Sequence, residues 1–284
     1  MRAMTDSMCD FDLKTVCAAW TSDGYDEAAA LVRWNQEASH FGAMAQPALS
    51  SSLCLQMLHQ EGLLEAGGTG LDVGCGGGQY SFALEEFGYC MHGTDFSPNM
   101  IAEAEKRRDA LGSRCSFSVD NWHSMELEEK GWEERFDLVL AHMTPAIADA
   151  DCFLKLIHAS RRAVFLQKPT RRFSALQQEI DGLLGAVPPQ SNLDGSFAQA
   201  FSIAWLLGCS PRTGYRDTTW TAEMEIDQAV AFYRSRMERY FTMEPQHEQQ
   251  LRTFLMERFP EGTVTDVTHV HLAAVLFLCP PRIL

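Results

Sequence analysis

The run "LDVGCGGGQYS", residues 71–81, constrains the fold more than any other part of the chain. A short apolar stretch ends in glycines at 74, 76 and 78, so a strand gives way to a turn too tight for side chains. Alternate glycines also let a ligand approach the main chain closely. The dinucleotide fingerprint G-x-G-x-x-G requires glycine at 79, where Gln79 stands, and a nicotinamide dehydrogenase is disfavoured. About 20 residues past the loop, the strand "MHGTD" delivers Asp95, suited to accept from both hydroxyls of a ribose. A third strand ends in Asp120, suited to an exocyclic adenine amine. Asp120 alone reads equally as a helix cap or turn residue, Asp95 less so; the ordered set points to a nucleoside cofactor.

Around this loop, short apolar runs alternate with helical stretches. Strands are predicted at 70–74, 89–95, 115–120, 136–142 and 162–168, with helices at about 79–87, 98–111 and 148–159 between them. That order specifies an α/β fold, a doubly wound and mostly parallel sheet. Two helices precede it: one over 24–42, with Leu31, Trp34, Ala38 and Phe41 at helical spacing, and one between Pro47 and about Gly62. After Lys168, helices are predicted from "PTRRFSALQQEIDGLLGAV" and "GSFAQAFSIAWLLG". A strand near 214–226, helices at 227–241 and 245–258 and a last strand at 264–279 follow. The layout is therefore a helical cover (1–65), a cofactor-binding core (66–168), a second helical cover or substrate region containing a strand (169–258), and a strand completing the sheet (259–284).

A net charge of -15 argues against a partner held through phosphates, because nucleic-acid binding draws on Lys and Arg. Nine cysteines without a C-x-x-C pair fit neither a disulfide framework nor a zinc ribbon, and reduced thiols in a cytoplasm are expected. His269 and His271 share a strand face but have no third ligand at suitable spacing, so no metal site is predicted. No apolar run approaches the roughly 20 residues that span a bilayer, and the polar N-terminus does not read as a signal peptide. The expectation is a soluble cytoplasmic protein without nucleic-acid or membrane partners.

The segments "LDVGCGGG", "GTDFSPNMIAEA", "SVDNW" and "FDLVLAHMTPA" together resemble the four motifs of the class I S-adenosylmethionine-dependent methyltransferases over about residues 66–168. "RWNQEASHF", "MTPAI" and the C-terminal layout resemble a bacterial small-molecule-type subgroup of that family. The resemblance implies a seven-stranded sheet with an antiparallel final hairpin and S-adenosylmethionine as cofactor. Gly74, Gly76 and Gly78 would line its methionine moiety, and Asp72 would brace the loop. Asp95 would hold the ribose, Phe96 would pack on the adenine, and Asp120 and Asn121 would stand at its rim. Ala141 and His142 would face the sulfonium.

Methyltransferases of nucleic-acid amines and glutamine amides carry an Asn/Asp-Pro-Pro-aromatic turn at this strand end, and "HMTP" offers neither the amide nor the aromatic. His142 has two readings, a base for a hydroxyl, thiol or ammonium acceptor, or a ring that shapes the pocket. Trp34 and Thr144 are candidate pocket walls. Lys168 and Arg171, in "QKPTRR", would hold an acceptor carboxylate or phosphate, or else belong to a solvated basic loop. His92 and His123 read as structural or surface residues.

Overall fold

A computed structural model describes residues 12–22, 26–188 and 195–280. The N-terminal part supplies helices α1 (Leu13–Ala18), α2 (Glu27–Ala43) and α3 (Leu53–Gln60). Alternation then runs β1 (Gly68–Val73), α4 (Gln79–Glu86), β2 (Tyr89–Asp95), α5 (Pro98–Leu111), β3 (Ser116–Val119), α6 (Leu127–Lys130), β4 (Phe136–His142), α7 (Ala150–Ala159) and β5 (Ser160–Ser174). The remainder is α8 (Ala175–Leu184), α9 (Gly195–Leu206), β6 (Ser210–Glu225), α10 (Ile226–Met237), α11 (Pro245–Arg258) and β7 (Thr263–Leu278). The seven strands form one sheet in the order β3-β2-β1-β4-β5-β7-β6. Pairing is parallel from β3 through β5, and the sheet is mostly parallel with one antiparallel hairpin.

Local sequence explains most helix starts. Asp26 caps α2 by accepting from the Ala29 N–H at 3.0 Å, and Asp149 caps α7 by accepting from the Cys152 N–H at 2.8 Å. Ser97 caps α5 ahead of a proline in its first turn, and Gly112 closes the helix in the left-handed conformation.

The chain divides into two compact units. The first comprises Met1–Lys168, Gly195–Gly214 and Ala273–Leu284; the second comprises Pro169–Asp194 and Tyr215–Leu272. In the first, β4 is buried on both faces, as continuous apolar strands of parallel sheets are. Leu71, Val139, Ala141 and Val164 meet α7 and α9 on one face, while Leu138, Leu140, Ala163 and Phe165 meet α3 and α4 on the other. The second unit has its own core, in which Ile180, Tyr233, Leu251, Leu255 and Val264 are fully buried.

Three features differ from the sequence expectation. The predicted helix after Lys168 begins only at Ala175, because β5 continues as a strand to Ser174. Its extension is held by buried polar contacts, with Ser174 Oγ donating to Asp266 Oδ1 at 2.5 Å and Thr170 Oγ1 to the His271 carbonyl at 3.2 Å. The short helices α1 and α6 were not anticipated, and Gly195–Gly214 groups with the first unit rather than with the rest of 169–258.

Phe153, fully buried, packs its ring 5.8 Å from Trp20 and 5.7 Å from Phe277. Phe153→Ala is expected to lower stability by about 3–5 kcal/mol in urea unfolding, the cost of a large cavity in a close-packed core.

Candidate functional site

The glycine loop is built by close approach. Gly74 has φ +66°, and a Cβ there would lie 2.0 Å from Thr144 Oγ1, so the first turn after β1 sits directly on the turn after β4. A Cβ on Gly77 would come within 2.9 Å of the Phe41 carbonyl, placing the end of α2 against the loop. The Gln79 amide donates to that same carbonyl. Ser97 Oγ donates to Asn35 Oδ1 at 2.7 Å, tying α2 to the start of α5 as well. The N-terminal helix is thus fastened to both cofactor motifs.

One cleft in the first unit collects the ends of these elements. Its walls include Gly74, Gly76, Asp95, Phe96, Asp120 and Asn121, facing Trp34 and Phe41 of α2 and the run Met143 to Ala146. Asp95 accepts from the Gly76 N–H at 3.1 Å and the Ser97 N–H at 2.9 Å, so one carboxylate orders both the loop and the start of α5. Burial raises Asp95 above the usual carboxylate range, against the pull of those N–H groups. Asp120 also lines the cleft, but it already accepts from Thr94 Oγ1 at 3.1 Å and Ser118 Oγ at 2.5 Å and pairs with Lys130. Burial opposes its ionisation, yet the Lys130 ammonium and the two hydroxyls hold it below the usual range. The charge expected to meet an adenine amine is largely committed to Lys130.

Other expected site residues lie elsewhere. Asp72, buried, accepts from Ser81 Oγ at 2.8 Å behind the loop, which fits a brace and not a cleft wall. Gly78, at φ +79°, starts α4 and lies against Phe82 and Phe117 rather than in the cleft. Ala141 is fully buried in the core beneath it.

His142 is not among the cleft residues either. Its ring lies against Tyr80 of α4, centroids 4.1 Å apart, and burial pushes it down to about 3. The imidazole is neutral at pH 7 and a poor proton acceptor. Alternation along β4 accounts for the change, and the left-handed Met143 (φ 56°) turns the chain so that Met143, Thr144, Pro145 and Ala146 reach the cleft instead.

Lys168 is buried. Its ammonium donates to the Ile147 carbonyl at 2.7 Å and to Ser196 Oγ at 2.9 Å, and it lies 5.6 Å from the Trp20 ring centroid. These contacts latch β5 to the post-β4 turn and to α9, which removes the need for a solvated loop there. Arg171 is exposed and falls in the second unit.

The structure adds cleft residues that the sequence reading left out: Phe41, Thr94, Met100, His123 and Met143. Phe41 shares a helix face with Trp34, seven residues apart, and their rings meet edge-on at 5.8 Å. His123 follows an Asx turn, its N–H donating to Asn121 Oδ1 at 3.0 Å. That turn was legible in "DNWH", though the direction of the ring was not.

A parallel sheet of this order, with a glycine loop after its first strand and an acid ending the second, defines a Rossmann-like domain for a nucleoside cofactor. Residues 64–175 match the family model described as a methyltransferase domain. Over 86 residues the chain is 38% identical to the ubiquinone biosynthesis O-methyltransferase of Azorhizobium caulinodans. That match covers 30% of this chain and 32% of the relative, so the chain spans about a third of the length of the curated relative it matches. Similar solved structures include a putative methyltransferase from Bacillus halodurans, 12% identical over 79% of this chain and 98% of that one, TM-score 0.47. Another is a putative sarcosine dimethylglycine methyltransferase from Galdieria sulphuraria, 14% identical over 92% of this chain and 91% of that one, TM-score 0.44.

Burial pushes Asp72 up to about 7, opposed by the Ser81 hydroxyl and reinforced by the Asp95 carboxylate. The folded chain holds this proton more tightly than the unfolded chain. The group's contribution to stability is therefore full below the usual carboxylate range and falls as pH rises from about 4 to about 7. Asp72→Asn should flatten the decline of the urea midpoint across that window. Parallel curves for the two proteins would assign the titration to another group.

Proposed function

We propose that the chain methylates a small-molecule acceptor with S-adenosylmethionine. The observation that carries this reading is the convergence of Gly74, Gly76, Asp95, Phe96, Asp120 and Asn121 on one cleft that α2 closes with Trp34 and Phe41. At Gly76 a Cβ would meet nothing closer than Phe41 and Met100, at 3.8 and 3.9 Å, and this open space beside the main chain supports the fit of a cofactor held by main-chain atoms. In this reading the Gly74 and Gly76 backbone receives the methionine end, and Asp95 accepts from the ribose. Phe96 covers the adenine, whose rim meets Asn121 and the Asp120 edge, while Asp72 and Gly78 support the loop from behind. When bound, S-adenosylmethionine supplies an electrophilic methyl group on a sulfonium. The task left to the protein is to align an acceptor and exclude water.

Trp34, Phe41, Met143 and Thr144 give the cleft an apolar wall suited to a small acceptor. The net charge of -15 and the lack of an amide-Pro-Pro-aromatic turn count against nucleic-acid bases. Within the first unit, the described residues before 66 serve as cover and 66–168 as the cofactor core. A cytoplasmic location fits this reading, and among the described residues no helix is long and apolar enough to cross a membrane.

The competing readings are a protein methyltransferase and a cofactor-binding protein without transfer activity. Incubation with methyl-labelled cofactor and fractionated cell extract separates them. Label is expected in the low-molecular-weight fraction; label confined to protein would replace the small acceptor, and tight cofactor binding without any transfer would leave only binding. The position of His142 against Tyr80 favours its pocket-shaping reading. His142→Gln is accordingly expected to keep turnover within a few-fold, whereas a loss of about a hundredfold at unchanged cofactor affinity would restore the base.

A further inference from the structure

His123, Asp149 and Cys152 come together beside the cleft, from two elements 26 residues apart in sequence at their nearest members. Their ligand-type atoms all lie within 4.8 Å of one another. His123 Nδ1 is 3.4 Å from Cys152 Sγ and 4.0 Å from Asp149 Oδ2. A metal about 2.0–2.3 Å from a nitrogen, a sulfur and an oxygen holds them about 3.3–3.6 Å apart in a tetrahedron. The nitrogen–sulfur pair is already at that spacing, and the nitrogen–oxygen pair needs a shift of about half an ångström. We propose that His123, Asp149 and Cys152 form a site for a divalent transition metal of the zinc class.

The donor set selects the metal. Imidazole and thiolate are borderline and soft ligands, which favour zinc over magnesium or calcium. Asp149 and Cys152 occupy the cap and third positions of α7, so both project from its first turn. On binding, the Cys152 thiol gives its proton to solvent and the metal–sulfur bond replaces the S–H bond, with no change of oxidation state.

The surroundings are fixed before any metal arrives. Trp122 Nε1 donates to the Cys152 carbonyl at 2.9 Å, joining the turn that carries His123 to α7. Lys155 also fastens that turn, its ammonium donating to the carbonyls of Trp122, of His123 at 3.1 Å and of Met125 at 3.2 Å. Its charge is thereby directed at backbone oxygens. The Ser22 hydroxyl bonds the Asp149 carboxylate, the kind of outer contact that orients a ligand. Three protein ligands leave a fourth position for water or another exchangeable donor. His123, Asn121 and Trp122 all border the cleft, so a metal here locks one of its walls.

The test uses the full chain, reduced and chelator-treated, titrated with Co²⁺ as a spectroscopic substitute for zinc. Expected are one equivalent bound, a thiolate-to-cobalt charge-transfer band, the visible bands of a four-coordinate ion and a raised Tm. Cys152→Ser should abolish the charge-transfer band, and His123→Ala should weaken binding by at least about tenfold. Cys209→Ser should leave both unchanged. Absence of stoichiometric binding, or a band that survives Cys152→Ser, would overturn the site. The readout requires no acceptor, so failure of methyl transfer and failure of the metal site are seen separately.

Discussion

The contact on which the rest of the site depends is the one between Gly74 and Thr144. Strand β1 and strand β4 are neighbours in the sheet, and their C-terminal turns meet with no space for a side chain on the glycine. A ligand held by the loop after β1 is therefore necessarily beside the turn after β4. Catalytic proximity in this fold is a product of sheet order more than of any side chain.

Electrostatics adds the second layer. The Asp95 carboxylate lies close enough to raise Asp72, and burial raises both. Asp95 is offset by the backbone N–H groups of Ser97, Gly76 and Phe96, whereas Asp72 has only the hydroxyl and N–H of Ser81 and feels the Asp95 charge besides. The third acid, Asp120, is neutralised by Lys130. Three carboxylates in one region thus have three different charge environments.

Much of this was legible in the sequence. The apolar runs marked the strands of the parallel half, and "LDVGCGGG" with Asp95 marked one wall of the cleft, because these depend on local turn chemistry and short-range spacing. What escaped depends on contacts distant in sequence. The ring of His142 turns to Tyr80, and the ammonium of Lys168 is satisfied by Ile147 and Ser196, 21 and 28 residues away. The continuation of β5 past Pro169 rests on Asp266, 92 residues from Ser174. His123 reads from the sequence as a structural or surface residue, since neither Asp149 nor Cys152 is near it in the chain. Pattern and propensity report the first kind of information and are silent about the second.

Gln79 began as the residue that spoils a dinucleotide fingerprint. In the folded chain its amide reaches the Phe41 carbonyl, 38 residues upstream, and secures the end of α2 over the glycine loop. A glycine at 79 would complete that fingerprint on paper and at the same moment remove one of the bonds that hold α2 over the loop, leaving the Ser97–Asn35 contact to carry more of that task.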